Sequence, residues 1–176
     1  MLTSTVKGPV DAVFFCNAVH LVSEKDEVFK EVSRALCQNG TFSFNTTFYD
    51  GAEPPETDQF YNRWMMKSIR KLKKSYGRTP TKDKTLARER LSKDDYLNLL
   101  KGAGFEIKHC EVMQVDFNLE SFQDISGYSL WIEGILPGVP LEEGSEILKE
   151  TVSETYEELG ITTSPRNWLL IVANKA

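Results

Sequence analysis

The sequence predicts an α/β fold with a partly parallel sheet, on three observations. Residues 9–17, PVDAVFFCN, are a short and nearly continuous apolar run, as expected of a strand covered on both faces. A helix pattern then separates this run from a second strand pattern within about 40 residues, a spacing that implies a crossover and parallel strands. Further helix and strand patterns continue to alternate up to a closing strand, NWLLIVANKA, at 167–176.

Each element has its own signal. In the first strand, Val10, Val13, Phe14 and Phe15 are the core candidates. Ser23, followed by Glu24, Asp26 and Glu27, predicts a helix start, with a capping hydroxyl and then acids at the positive dipole end. Val28, Phe29, Val32, Ala35 and Leu36 recur at helical spacing, and Asn39-Gly40 predicts a left-handed stop. TFSFNTTF at 41–48 has the Thr and Phe content of a strand. Residues 49–58 are a loop by composition. Residues 59–75 predict a basic amphipathic helix, with Phe60, Tyr61, Trp64, Met65, Ile69 and Leu72 on its apolar stripe. Gly77 and Pro80 end it, and 78–90 predict a lysine-rich mobile loop. Ser92 and Asp95 form a capping box before YLNLLKGAGF, with the helix ending at Gly102 or Gly104. A strand at 105–117, an aromatic-rich helical stretch at 119–136 and an acidic helix at 141–159, stopped by Gly160, complete the series.

Composition narrows the class. The chain has 176 residues, enough for one domain, with 40% hydrophobic and 27% charged residues, close to the average for a globular chain. No apolar run approaches the roughly 20 residues of a membrane helix. The first residues, MLTSTVKGPVDAVFF, lack a signal-peptide layout, so a cytoplasmic location is expected. Three cysteines without a CxxC spacing and two histidines point away from a zinc site, a disulfide framework or a histidine-rich metal site. The net charge of −5 is uneven. Residues 63–93 hold 12 Lys and Arg against two acids, about +10, which leaves the remainder about −15. A field of this size attracts anionic partners, although salt screens it within about 10 Å at 0.1 M.

Three words in order carry a family resemblance: DAVFFCNAVHLV, EVSRALCQNGTFSFN and LLKGAGFEIKHCEV. Together they resemble the second half of a class I S-adenosylmethionine-dependent methyltransferase domain, of the small-molecule, type 11-like kind. Asp11 to His20 match the run on that family's fourth strand, Arg34 to Gly40 the turn into the fifth, and Ala103 to Phe105 the later Ala-Gly-Phe turn. The resemblance spans 9–48 and 92–118, with 167–176 as the seventh strand. It implies a partial Rossmann-like sheet, strands 4-5-7-6 of the family order 3-2-1-4-5-7-6, with helical insertions. The organisation expected is one partial domain over 1–176, a basic lid at 49–91 and a helical cover at 119–160. The family's glycine-rich turn and ribose-binding acid belong upstream of its fourth strand, and no G-x-G-x-G occurs in these residues. The chain is therefore expected to lack the half that grips most of the cofactor. An uncovered fourth strand becomes an apolar edge that invites pairing with a partner chain or a second copy.

Ligands of open α/β sheets sit at the carboxyl ends of the strands. That rule places Cys16, Asn17, Ala18 and His20 at one strand end and Asn45 to Tyr49 at the next. By resemblance, Cys16, Asn17 and Ala18 are the expected contacts to S-adenosylmethionine. His20 is the candidate catalytic base because imidazole titrates near neutral pH; the alternative is a packing or capping role before the next helix. Asn45, Tyr49, Tyr61 and Trp64 are the candidate acceptor-binding residues, against ordinary amphipathic packing for the aromatics. Asp11 starts its strand at the wrong end for chemistry, and Cys16 and Cys110 are most simply small apolar residues. The basic segment is a solvated face, a dock for an anionic acceptor or acidic carrier protein, or a nucleic-acid or anionic-membrane contact. Nucleic acid is disfavoured, because the basic residues do not alternate with exposed aromatics. Two functions stay open. One is methyl transfer to a small-molecule or carrier-bound acceptor, requiring the missing half. The other is a truncated, catalytically inactive relative acting as a binding or regulatory partner. A hydrolase-like fragment lacks its G-x-S-x-G motif.

Overall fold

The structure, a computed structural model, describes residues 6–81 and 90–176. Its elements are β1 (Val10–Cys16), α1 (Lys25–Ala35), β2 (Leu36–Thr46), α2 (Asp58–Tyr76), α3 (Lys93–Gly102), β3 (Phe105–Asn118), α4 (Leu119–Ile125), α5 (Ser129–Ile135), α6 (Leu141–Leu159) and β4 (Thr163–Lys175). The sheet order is β1-β2-β4-β3, with β1 parallel and β4 antiparallel to β2. This is the expected α/β arrangement. Two compact units divide the chain: residues 1–52, 90–114 and 167–176 form the first, and 53–89 and 115–166 the second.

In the first unit, strand register sorts side chains between two faces. Val13 pairs with Phe42 and Phe42 with Ala173; Phe15 pairs with Phe44 and Phe44 with Ile171. Paired residues point the same way, so these six share one face. They pack with Phe29 and Val32 of α1 and Tyr96 and Leu100 of α3. Phe42 is the hub, meeting Phe29 edge-on at a centroid distance of 5.3 Å and Phe15 at 5.6 Å. The other face carries Ala12, Phe14 and Cys16 opposite Thr41, Ser43 and Asn45. Phe14 is 65% exposed there, and β1 is an edge of the sheet.

Local signals place the element ends with small shifts. Asp95 accepts from the Ser92 backbone N–H while Ser92 Oγ accepts from the Asp95 N–H, so both halves of the capping box form. Ser23 is not the cap of α1. The helix starts at Lys25, after Glu24, with no side-chain cap. α1 also ends earlier than expected, at Ala35. Asn39 does take the left-handed conformation, φ 63°, but within β2. Four residues bulge out there, between the Val10–Leu36 and Ala12–Thr41 pairs. Gly40 permits this, since a Cβ would come within 2.9 Å of the Cys37 carbonyl oxygen. The 119–136 stretch is helical as expected, in two short helices, and β4 starts at Thr163 rather than at 167. Most of the loop expected at 78–90 lies outside the described residues.

The second unit is helical around aromatics. Phe60 and Trp64 of α2, Phe122 of α4, Trp131 of α5 and Tyr156 of α6 are all buried, and the Trp64 indole donates to the Leu148 carbonyl at 3.0 Å. Along one flank, α2 and α6 exchange charge. Arg63 and Lys67 pair with Glu158, Lys71 with Glu154 and Glu150, and Arg78 beyond α2 with Glu143. Numbers ascend on one helix as they descend on the other, so the two run antiparallel. Part of the basic surplus is therefore matched inside the chain.

Arg166 is fully buried among polar and aromatic partners. It pairs with Glu53 at 2.9 Å, donates to the Tyr61 hydroxyl at 3.1 Å and lies 4.9 Å from the centre of the Trp131 ring. Breaking a fully buried pair costs about 3–5 kcal/mol, and Glu53 keeps some contact with solvent, its side chain 23% exposed. Arg166→Ala is therefore expected to lose about 2–4 kcal/mol in urea unfolding; a loss under about 1 kcal/mol would refute this role. The exposed charge ladder responds to pH instead. The Lys67 hydrogen bond, aided by Arg63, holds the Glu158 carboxyl below its usual range. The Glu150 and Glu154 hydrogen bonds raise the Lys71 ammonium. The Glu158 contribution is thus full above the free carboxyl pKa and fades as pH falls through its lower native value. That of Lys71 is full below the free ammonium pKa and fades as pH climbs through its higher native value. Thermal melts should therefore peak in the neutral window, and added salt should flatten the profile.

Candidate functional site

Because β1 and β2 are parallel, their carboxyl ends lie side by side, and the segments that follow, 17–20 and 47–49, meet there. The turn after β1 is possible because Asn17 adopts φ 48°, a conformation that Asn tolerates better than most residues. Asn45 and Asn17 then tie the two strand ends together. The Asn17 backbone N–H donates to Asn45 Oδ1 at 2.6 Å. Asn17 Oδ1 accepts from the Thr47 N–H at 3.0 Å and from its hydroxyl at 3.3 Å. A backbone N–H can only donate, so the Asn17 amide orientation is settled: its oxygen faces Thr47. Its Nδ2, a donor, has no acceptor among the described residues.

His20 sits in a 3-10 turn, Val19–Leu21, with its Nδ1 3.1 Å from Thr46 Oγ1. Thr46 Oγ1 also accepts from the Phe48 N–H at 3.0 Å. The imidazole lies against the Phe48 ring at 4.4 Å and 30°. Burial, with a smaller effect from Lys25, lowers the His20 pKa to about 4. The ring is therefore neutral at pH 7, and its Nε2 is buried without a partner among the described residues.

The structure thus brings Asn17, His20 and Asn45 into one cluster. Cys16 is exposed on the edge strand just before it, and Ala18 is half-buried in the connecting turn. Tyr49 is 2% exposed and belongs to the core of the first unit. Tyr61 and Trp64 belong to the second unit. There Tyr61 accepts from Arg166, and Trp64 is 1% exposed with its indole N–H used by Leu148. The sequence places Thr46 at the strand end but assigns it no role, because a threonine there is ordinary, and one further residue was not singled out at all. Arg166 escaped because its partner Glu53 lies 113 residues away.

No protein-family model matches the chain, and no curated protein sequence matches it. Solved structures do. A candidate methyltransferase from Bacillus halodurans C-125 superposes with a TM-score of 0.50 at 18% identity, over 95% of this chain and 64% of its own. The chain has the class I methyltransferase fold. A candidate sarcosine dimethylglycine methyltransferase from Galdieria sulphuraria gives a TM-score of 0.47 at 15% identity, over 96% of this chain and 54% of its own. The cyclase SpnF gives 0.45 at 17% identity, over 96% and 51%. The chain thus spans between half and two thirds of these structures. The Asn17–Asn45–Thr47 cluster lies at the carboxyl ends of the parallel strands β1 and β2.

Asn17→Ala removes two hydrogen bonds and puts a Cβ without a compensating amide at positive φ. A stability loss of about 1–3 kcal/mol is expected, with Asn17→Gly losing less because glycine accepts that backbone freely. Equal losses for the two variants would show that the turn conformation carries no strain.

Proposed function

We propose that this chain forms the acceptor-side part of an S-adenosylmethionine-dependent methyltransferase acting on a small-molecule or carrier-bound acceptor. The observation that carries the reading is the cross-linked pair of parallel strand ends, with the Asn17 Nδ2 donor left over. The fold likeness supports it.

The fit to the cofactor is partial. Cys16, Asn17 and Ala18 would meet its methionine end: the Asn17 amide can donate to a carboxylate, and the short side chains of Cys16 and Ala18 let a ligand approach the backbone. No G-x-G-x-G turn occurs in the 176 residues, so in this reading the remaining cofactor contacts are supplied by residues outside them. When bound, the cofactor supplies an activated methyl group. This chain's part is to orient the acceptor and exclude water, and such positioning accounts for much of the rate of an in-line displacement. Asn45 holds the Asn17 turn, and Tyr49 backs the site from the core.

An anionic acceptor or an acidic carrier domain would dock on the basic residues of α2 that α6 leaves unmatched. Arg70, Lys73 and Lys74 are exposed and have no acidic partner among the described residues. No helix among the described residues is long and apolar enough to cross a membrane.

Calorimetry with S-adenosylhomocysteine tests the reading on the chain joined to an adenosine-binding half. Saturable binding is expected, weakened roughly 5- to 10-fold by Asn17→Gly, the worth of about one hydrogen bond. Absence of binding with that half present would sink the proposal. Charge reversal at Lys73 and Lys74 should weaken capture of an acidic carrier at low salt and have little effect at high salt.

A further inference from the structure

The contact between Thr46 and His20 decides which imidazole nitrogen carries the proton. Thr46 is fully buried, and its hydroxyl oxygen already accepts from the Phe48 N–H. The hydroxyl also has one proton to place, and among the described residues its one other contact is His20 Nδ1. Two arrangements are possible. If Nδ1–H donates to the hydroxyl, the Thr46 proton finds no acceptor and Nε2 is a bare buried lone pair. If the hydroxyl donates to Nδ1, Thr46 is fully used and the Nε2–H alone lacks a partner. One unmet group replaces two, and each buried unmet group carries a desolvation cost.

We propose that Thr46 is a positioning residue that holds His20 as its Nε2–H tautomer, a neutral hydrogen-bond donor beside the paired strand ends. Phe48 fixes the plane of the ring from one side. Lys25, at the start of α1, is the charge that bears on it, with its ammonium on the Val22 carbonyl at 2.6 Å. The lowered His20 pKa agrees with a ring whose neutral form is favoured. The lone pair at Nδ1 is then occupied by Thr46, and Nε2 offers an N–H in place of a base. In methyl transfer, His20 would therefore not be the base that removes the acceptor's proton. That last step rests on the proposed function, whereas the tautomer does not.

The test is long-range proton–nitrogen NMR on the 15N-labelled chain. Only His20 and His109 contribute, and His109→Gln assigns the two. His20 should show Nε2–H alone and stay neutral well below pH 6. Thr46→Val removes the hydrogen bond that selects the tautomer, so the two tautomers should mix, while the still-buried ring stays neutral. Thr46→Ser should restore Nε2–H alone. An Nδ1–H pattern in the unaltered chain would overturn the proposal, as would a Thr46→Val spectrum identical to the parent. If Thr46→Val fails to fold, the unaltered chain and Thr46→Ser still decide, because Nδ1–H in either refutes it. Loss of cofactor binding with an intact Nε2–H signal would count against the methyl-transfer reading and leave the tautomer standing.

Discussion

The parallel pairing of β1 with β2 is the constraint on which the site depends. Parallel neighbours cannot be joined by a tight turn, so the chain must cross over, and α1 is that crossover. Its apolar face, Phe29 and Val32, has one place to go: onto Phe42 and Phe44. The same pairing leaves both strand carboxyl ends at one edge of the unit. An antiparallel pair would have put Asn17 and Asn45 at opposite ends, and no amide could then have joined them.

Polar groups at this junction hold one another. Asn17 and Asn45 each use a side-chain oxygen on the other strand's backbone. His20 is kept neutral because burial penalises its charge, with a smaller push from Lys25, and its Nδ1 rests on the Thr46 hydroxyl. In the proposed function, such fixed dipoles would orient a ligand without reorganising when it arrives, which suits a reaction whose demand is mainly positional.

In the second unit, the acidic helix α6 is the counterpart of the basic helix α2. The surplus of about +10 in residues 63–93 suggests an external anion, but Glu150, Glu154 and Glu158 already answer Lys67 and Lys71. Such pairs are individually weak in water. Their regular spacing nonetheless sets the register of two helices that also share the Trp64–Leu148 hydrogen bond.

The alternation of elements, the capping box at Ser92 and Asp95, the glycine stops at Gly77 and Gly160 and the parallel pairing were legible in the sequence. These features are local: a cap, a period or a crossover length acts over a few residues and needs no distant partner. The same local reasoning brought Asn17 and His20 to a strand end. It could not show that Thr46 takes one nitrogen of His20, that Trp64 spends its N–H on Leu148, or that Arg166 is buried against Glu53. Each of these is a pairing between groups 26 to 113 residues apart. Whether a polar side chain meets ligand, water or another side chain depends on what folding brings within about 3 Å of it, and only the tertiary structure decides that.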